Sequence, residues 1–316
     1  MKNSFIIILS AIMLYSCSDL ETVIDLDVPV LDPVLVLNSS VRSDSEIKVF
    51  VSHSLEAFGN MVSSNIDDAT VLLFEDNQFV DSLYADLSDP NYYSFYSSDD
   101  RTIDSVLVYY YKSDVIANPN KSYRLEASHP MYPSVNASTT IPNGVEIELL
   151  QSNNPQEIKF NFNDDPSKEN FYSLKLMAQF TKEFDGEVFT FTERVEFASN
   201  DLSFPSGIPF DGFSFFGRKV FFDDAIFNGS QKQISIEIED GYFAEEDICD
   251  SIYFQFTELS SEAFSYYKTR NSQIEGGAAG IFGGEVTPVF SNVENGLGAF
   301  FSVNSQNVTA INNLSE

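Results

Sequence analysis

Cys17 is the residue whose surroundings most clearly predict a chemical modification. It ends the tetrapeptide Leu-Tyr-Ser-Cys at residues 14–17, which is typical of the site where a bacterial cysteine thiol receives a diacylglycerol. The apolar run before it, residues 5–14, is much shorter than the roughly 20 residues needed to span a bilayer. We therefore expect residues 1–16 to be a signal peptide and Cys17 to be the lipidated start of the mature chain. A plain secretory signal is the alternative.

Two acidic residues, Asp19 and Glu21, follow this cysteine closely. Acids in these positions resemble the export signal that sends lipoproteins of Bacteroidetes to the outer face of the outer membrane. We therefore expect a lipid-anchored protein of the outer membrane that faces the cell exterior.

The charge of the chain excludes one class of partner. The formal net charge is −31, from 48 acidic and 17 basic residues. Such a chain lacks the basic surface that displaces counterions from phosphates, so we expect no nucleic-acid partner. Anionic headgroups would also repel it, so the lipid must supply the membrane attachment. Solubility at a crowded surface explains so much acid, and a cationic ligand is the alternative.

Catalytic and metal-binding patterns are not found in the sequence. There are two histidines, no Gly-x-Ser-x-Gly and no histidine pair with zinc spacing. Neighbouring acids such as Asp164-Asp165 and Asp223-Asp224 indicate turns, although a surface calcium site remains an alternative. Cys249 is predicted to be a buried, inert thiol. We expect no catalytic residues, metal or cofactor, and an envelope hydrolase is the less favoured hypothesis.

Aromatic segments and short Asp-Ser motifs are the candidates for binding and modification. The irregular stretch 204–216 is rich in phenylalanine and either tucks under a sheet or meets a partner protein. A second aromatic cluster lies at residues 92–96, near Tyr109–Tyr111, for which a core position in a strand is expected. The candidate partner contacts are Phe210, Phe213, Phe215 and Phe216. The candidate O-glycosylation sites, each after an Asp and before an apolar residue, are Ser82, Ser105 and Ser251.

The elements that position these residues are almost all predicted to be strands. Thirty phenylalanines, fifteen tyrosines and many β-branched residues occur in short runs that Asn, Asp, Ser, Gly and Pro separate. This pattern predicts an all-β fold of two antiparallel β-sandwich or barrel-like domains. One short helix is expected from Ser260 or Ser261, ended by Gly276-Gly277.

The length of the chain predicts two domains, and a turn-forming cluster at residues 140–144 gives the best boundary. We expect an Ig-like β-sandwich domain over residues 17–142 and a C-terminal β-rich domain over residues 143–316. The strands expected from the runs of apolar residues are 34–37, 47–51, 70–74, 106–111, 123–127, 157–162, 172–180, 188–197, 233–239 and 252–257.

Several segments together resemble a family of Bacteroidetes lipoproteins known as domain of unknown function 4249. The resemblance covers nearly the whole mature chain, and its most specific segment is residues 291–300. The other matching segments are residues 23–29, 33–38, 68–73, 123–125, 137–142 and 259–267. Proteins of this kind are commonly encoded beside TonB-dependent outer-membrane receptors, so the resemblance implies such a receptor as partner and supplies no catalytic residues.

These observations give two hypotheses for function. The first is a non-catalytic surface lipoprotein that assists a TonB-dependent transporter as accessory or binding partner. The alternative is a structural or assembly component of an outer-membrane machine without its own nutrient ligand.

Overall fold

The secondary structure is dominated by strands, which confirms the predicted all-β class. The computed structural model describes residues 32–55, 65–97, 102–154, 156–184, 186–205, 212–238, 249–278 and 288–312. Within these ranges the chain forms nineteen β-strands and one α-helix, α1 (Ser261–Ala278). The strands are β1 (Leu35–Arg42), β2 (Glu46–His53), β3 (Thr70–Glu75), β4 (Gln78–Ala85), β5 (Asn91–Ser97), β6 (Thr102–Val108), β7 (Tyr110–Ile116), β8 (Ser122–His129), β9 (Tyr132–Thr140), β10 (Ile147–Leu150), β11 (Glu157–Asn163), β12 (Phe171–Phe184), β13 (Glu187–Val195), β14 (Phe197–Ser199), β15 (Phe215–Gly217), β16 (Lys219–Asp223), β17 (Gln231–Ile238), β18 (Cys249–Leu259) and β19 (Leu297–Asn312).

The described strands form one large sheet, one small sheet and one hairpin. The large sheet has the order β13-β12-β18-β19-β1-β2-β7-β4-β3-β8-β9, and β16 pairs with β12 on the same edge as β13. The small sheet has the order β10-β11-β17-β14-β15, and β5 pairs with β6 alone. Pro33–Glu316 forms one compact unit by its internal contacts.

Alternating side chains explain why each strand has one buried face. In β17, Ile234, Ile236 and Ile238 are buried, whereas the residues between them are partly exposed, as the alternation in the sequence predicts. The turn between β3 and β4 is made by Asp76 and Asn77, both with positive φ. Positive φ at two central residues gives the turn geometry that matches the twist of a hairpin.

Two clusters of buried side chains form the interior. The N-terminal core is built around Leu37, Val49 and Tyr123, and it also takes in Phe300 from the far end of the chain. The C-terminal core is built on stacked aromatic rings, among them Phe160 and Phe254 with centroids 4.5 Å apart. The division of the chain into domains at Pro142 stays a prediction.

Strand β19 joins these two regions, and it was not among the predicted strands. Its first half runs parallel to β1, with Val36 opposite Leu297 and Arg42 opposite Val303. Its second half runs antiparallel to β18, from Leu259 opposite Val303 to Ser251 opposite Asn312. The large sheet is therefore mixed rather than purely antiparallel.

Glycines allow β19 to approach β1 closely. Gly298 has φ +109°, and a Cβ there would lie 2.1 Å from the carbonyl oxygen of Leu37. A Cβ at Gly296 would lie 2.5 Å from the carbonyl oxygen of Leu35. The preceding Asn292 uses its side chain to bond both the N–H and the carbonyl of Phe300, at 2.9 and 2.7 Å. The segment 291–300, which carries the most specific resemblance, is thus a structural junction.

Helix α1 lies on the outer face of the large sheet. Ser260 caps its start, because its Oγ accepts the Ala263 N–H at 3.2 Å. Phe264 stacks on Phe171, and Tyr267 stacks on Phe221. The predicted end at Gly276-Gly277 lies within one residue of Ala278, the last helical residue of the described range.

Two predicted strands are each divided. The run 106–111 breaks at Tyr109, which separates β6 from β7, and the run 188–197 breaks at Glu196, which separates β13 from β14. In both places the chain leaves one strand partner for another: β6 pairs with β5, whereas β7 pairs with β2 and β4. A continuous apolar run does not reveal such a change of partner.

We expect Gly298→Ala to lower the free energy of unfolding by more than about 3 kcal/mol, because the new methyl group would overlap the β1 backbone. Gly186→Ala is the matched control, since Gly186 also has positive φ (+81°) but has no atom within 4 Å of the position that a Cβ would take. Only the cost of the backbone conformation, about 1–2 kcal/mol, is expected there. Urea unfolding measures both. Equal losses would show that close approach of β1 is not what requires Gly298.

Candidate functional site

An open groove of about 940 Å³ lies beside β1, β2 and β7. We call it the tyrosine groove, after Tyr93, Tyr110 and Tyr266, which line it together with Arg42 and Lys48. Its volume lies within the range of pockets that hold small ligands. The groove also carries Asp44 and Glu46, so the charges of its lysine, arginine and two acids balance.

Strand alternation places the groove residues on the outer face of the sheet. In β2, Ile47 and Val49 point into the N-terminal core, so Lys48 between them points outwards. Strand β7 lies beside β2 with Tyr110 opposite Phe50, and the two rings meet edge to face at 6.3 Å. The ammonium of Lys48 lies 5.1 Å from the centre of the Tyr110 ring.

Tyr93 and Tyr110 form a pair of hydroxyl groups at one end of the groove. Their oxygens share a hydrogen bond of 2.7 Å. Burial, followed by the hydrogen bond and the charge of Tyr93, raises the pKa of Tyr110 to about 12. The phenol is therefore neutral at physiological pH, where it can donate and accept hydrogen bonds but does not supply a phenolate.

Helix α1 closes the other end. Tyr266 stacks on Phe301 of β19 at 5.1 Å, and both residues line the groove. Since Phe301 lies opposite Ser40 in the parallel β1–β19 pair, the groove depends on that pairing for its shape.

Lys112 fixes the segment that leads into the β5–β6 hairpin. Its ammonium contacts Asp86 at 2.9 Å and Asp89 at 2.8 Å, and both acids lie between β4 and β5. The hydrogen bond from Lys112, supported by two from Ser88, lowers the pKa of Asp86 to about 2. This clamp positions β5, and with it Tyr93.

A ridge of exposed apolar side chains lies along the same segment. Protein interfaces are enriched in tyrosine, so these exposed side chains are candidates for contact with another molecule. We call these side chains the aromatic ridge: Tyr84 (75% exposed), Leu87 (56%), Tyr92 (70%) and Tyr93 (52%). As neighbours in β5, Tyr92 and Tyr93 point to opposite faces of the hairpin, and Tyr93 is the one that adjoins the groove.

The chemistry available in the groove is that of binding. It offers hydroxyl groups, aromatic faces, two cations and two carboxylates, which suit the recognition of a ligand. No His, Cys, Asp and Glu side chains are grouped to hold a metal ion anywhere in the described ranges.

The neighbouring acids singled out in the sequence are structural where they are buried. Asp164 accepts hydrogen bonds from the Tyr172 hydroxyl at 2.5 Å and the Gly229 N–H at 2.8 Å. Asp224 accepts one from the Asn170 N–H at 3.0 Å. These bonds hold loops at the edge of the C-terminal core.

Of the four phenylalanines predicted to contact a partner, the three that the structure describes differ in their exposure to solvent. Phe215 is buried and packs on Phe197 at 5.3 Å and Phe204 at 5.5 Å, so its side chain belongs to the C-terminal core and is not exposed for a partner. Phe213 and Phe216 are partly exposed, and a partner contact there stays a prediction. Phe210 lies outside the described residues, as do Cys17, Asp19 and Glu21.

The three candidate glycosylation serines all lie in paired strands. Ser105 in β6 is exposed, whereas Ser82 in β4 and Ser251 in β18 are partly buried. Their modification stays a prediction. Cys249 is buried, as expected, and burial raises the pKa of its thiol. A raised thiol pKa keeps a cysteine unreactive.

Sequence reasoning found part of the groove. Tyr93 and Tyr110, which line the groove, belong to the aromatic clusters noted in the sequence. The core position predicted for Tyr109–Tyr111 is confirmed for Tyr111, which is buried. Arg42, Lys48 and Tyr266 were missed. The signal for Lys48 was present, because a lone lysine between buried β-branched residues must face outwards.

Comparison with known proteins places the chain in a family. The family described as "Domain of unknown function (DUF4249)" matches residues 21–309, so the chain belongs to it. No curated protein matches the chain. Within the described residues, no helix combines the length and the apolar character needed to cross a membrane.

We expect Lys112→Gln to release the β5–β6 hairpin, because it removes the contacts to Asp86 and Asp89. Amide hydrogen exchange in β5 and β6 should become at least about tenfold faster, while exchange in β8 stays unchanged. Lys121→Gln, which breaks an exposed pair with Asp76, is the control with the same change of charge.

Acidification should also release the β5–β6 hairpin. The pKa of Asp86 is lowered in the folded state, so its contribution to stability is present above its ordinary value near 4 and is lost as pH falls towards 2. Hydrogen exchange in the hairpin that is equal in wild type and Lys112→Gln at pH 7 would contradict the clamp.

Proposed function

We propose that this protein is a non-catalytic, lipid-anchored protein of the outer-membrane surface that binds a TonB-dependent transporter as its accessory. The single observation that carries the binding role is the tyrosine groove with its adjoining aromatic ridge. Membership of the family is compatible with this proposal. Proteins of the kind that the sequence resembles are commonly encoded beside TonB-dependent receptors, and this genomic neighbourhood supplies the kind of partner.

The side chains of the aromatic ridge suit contact with another protein. Tyr84, Tyr92 and Tyr93 each present an apolar ring with a polar hydroxyl, and the clamp by Lys112 orders the segment between them before any partner arrives. Preorganised tyrosines lose little conformational entropy on binding, which is why they often dominate interface energetics.

A structural or assembly role is the second candidate. The groove would then hold a segment of an envelope protein with no transported nutrient involved. Deletion of the gene separates the two: a growth defect confined to one nutrient supports accessory function, and a general envelope defect supports assembly.

Co-purification from detergent-solubilised outer membranes tests the partnership. We expect the wild-type protein to retain a TonB-dependent transporter, identified by mass spectrometry. The double variant Tyr84→Ser, Tyr92→Ser should retain at least about tenfold less, since interface tyrosines commonly contribute more than about 1 kcal/mol each. Leu202→Ser is the control, because Leu202 is 88% exposed and lies outside the ridge. Recovery of the wild-type protein alone under gentle conditions would contradict the proposal.

The anchor is tested separately through Cys17. Cys17→Ala should abolish acylation, because only the thiol of that residue can accept the diacylglycerol. The variant should then leave the membrane fraction, and mass spectrometry of its N-terminus should show no acyl chain. Acylation that persists in this variant would show that the anchor is elsewhere.

A further inference from the structure

Four basic side chains lie together on the outer face of the large sheet, next to helix α1. Lys175 of β12 and Lys219 of β16 are directly opposite each other. Arg194 of β13 is opposite Met177, two residues further along the same face of β12. Arg42, at the end of β1, lies close enough for its charge to act on Lys175. We call these four residues the basic patch.

The arrangement costs energy in the protein alone. Like charges that face each other across two strands destabilise a sheet. Within the described ranges, no carboxylate lies at ion-pair distance from Lys175, Lys219 or Arg42. The basic residues elsewhere that do contact a carboxylate are Lys112, Lys121, Arg124, Lys159, Lys168, Arg218 and Lys232. Among the described cations Lys48, Lys268 and Arg270 also have no carboxylate at this distance, so what distinguishes the patch is that Lys175 and Lys219 face each other.

Lys219 is the most constrained of the four. Its ammonium lies 4.2 Å from the centre of the Phe221 ring and 4.8 Å from that of Tyr267. Burial, followed by the charges of Lys175 and Arg194, lowers its pKa to about 8. The aromatic rings hold the side chain in place, where a bound anion would relieve the repulsion between the two lysines.

Neutral hydrogen-bonding groups continue the patch across the sheet. Gln255 of β18 is opposite Lys175, and its amide donates to Asn307 at 3.1 Å. Thr257 and Ser305 share a hydrogen bond of 2.9 Å one row away. Glu196 follows β13 two residues after Arg194 and is paired with Arg218 at 3.0 Å, and Asp223 lies four residues along β16 from Lys219.

We propose that the basic patch binds a phosphate or diphosphate group. The facing ammonium groups of Lys175 and Lys219 match an anion that carries two negative charges, whereas a single carboxylate would leave one of them uncompensated. Arg42, whose charge also acts on Lys175, lies at the edge of the patch. The acidic remainder of the surface does not prevent this, because salt at about 0.1 M screens charges beyond about 10 Å. Arg42 also lines the tyrosine groove, so the two surfaces meet at the end of β1.

Calorimetric titration of the full-length chain in non-ionic detergent with inorganic pyrophosphate tests the site. We expect saturable binding to the wild type and a dissociation constant at least about tenfold larger for Lys175→Gln with Lys219→Gln. The control variant, Lys121→Gln with Lys159→Gln, changes the net charge equally at ion pairs elsewhere and should bind as the wild type does. Absence of binding to the wild type, or equal weakening in both variants, would overturn the proposal.

A second measurement guards against misfolding and separates two sources of the phosphate. Arg42→Gln changes an exposed residue, so it should keep the wild-type melting temperature and still weaken pyrophosphate binding. Vesicles of phosphatidylcholine with and without phosphatidic acid, a phosphate monoester that carries up to two negative charges, are then added to the chain carrying Cys17→Ala. Where pyrophosphate binds, lysine-dependent binding to the vesicles with phosphatidic acid but not to those without it supports a lipid headgroup. Lysine-dependent binding of pyrophosphate without vesicle binding supports a soluble phosphate. Unaltered binding in both the lysine and the Arg42 variants would overturn the site.

Discussion

The pairing of β19 with two different strands is the constraint on which the rest of the structure depends. Its inner face changes character along its length: Phe300 enters the N-terminal core, while Val308 and Ala310 pack against the C-terminal core. Between them Ser302 and Asn304 bond the carbonyls of Thr140 and Pro142, at 2.7 and 3.1 Å, and Gln306 bonds that of Val145. Residues 140–145, which link the two halves of the sequence, are therefore held against β19 by every second side chain of that strand. Each such bond contributes about 1 kcal/mol, and together they fix the path of the chain between the cores.

Both candidate surfaces follow from this constraint. The outer face of β19 carries Phe301, on which Tyr266 and Tyr267 of α1 pack, and the helix then separates the tyrosine groove from the basic patch. Tyr266 lines the groove, whereas Tyr267 contacts Lys219. Because Gly298 allows β1 to lie beside β19, it also brings Arg42 to the point where the two surfaces meet. The glycine-containing segment 291–300 thus shapes the tyrosine groove, and it contributes Ala299 to the lining.

Elements that depend on a local sequence pattern could be predicted from the sequence. Elements that depend on partners distant in the sequence could not. Strict alternation made β17 predictable, and Ser260 made the start of α1 predictable. Strand β19 was missed because its inner face is polar where it meets the linker, so Asn304, Ser305 and Gln306 resemble a loop. The groove draws on residues 42, 48, 93, 110 and 266, which become neighbours through the pairing of β1 with β19 and β2 and of β2 with β7. No spacing in the sequence carries that information.

The distribution of charge suggests how an acidic protein can still recognise ligands. Many described lysines and arginines are neutralised by a neighbouring acid, as Lys232 is by Asp201 at 2.7 Å and Lys168 by the buried Glu258 at 3.0 Å. Lys175 and Lys219 of the basic patch are instead positioned by strand register, and Lys219 also by aromatic rings, which hold a charge in place without cancelling it. In the tyrosine groove the opposite holds: charges balance, and the Tyr110 phenol stays neutral because burial raises its pKa. One side of α1 therefore suits recognition by shape and hydrogen bonding, and the other suits recognition by charge.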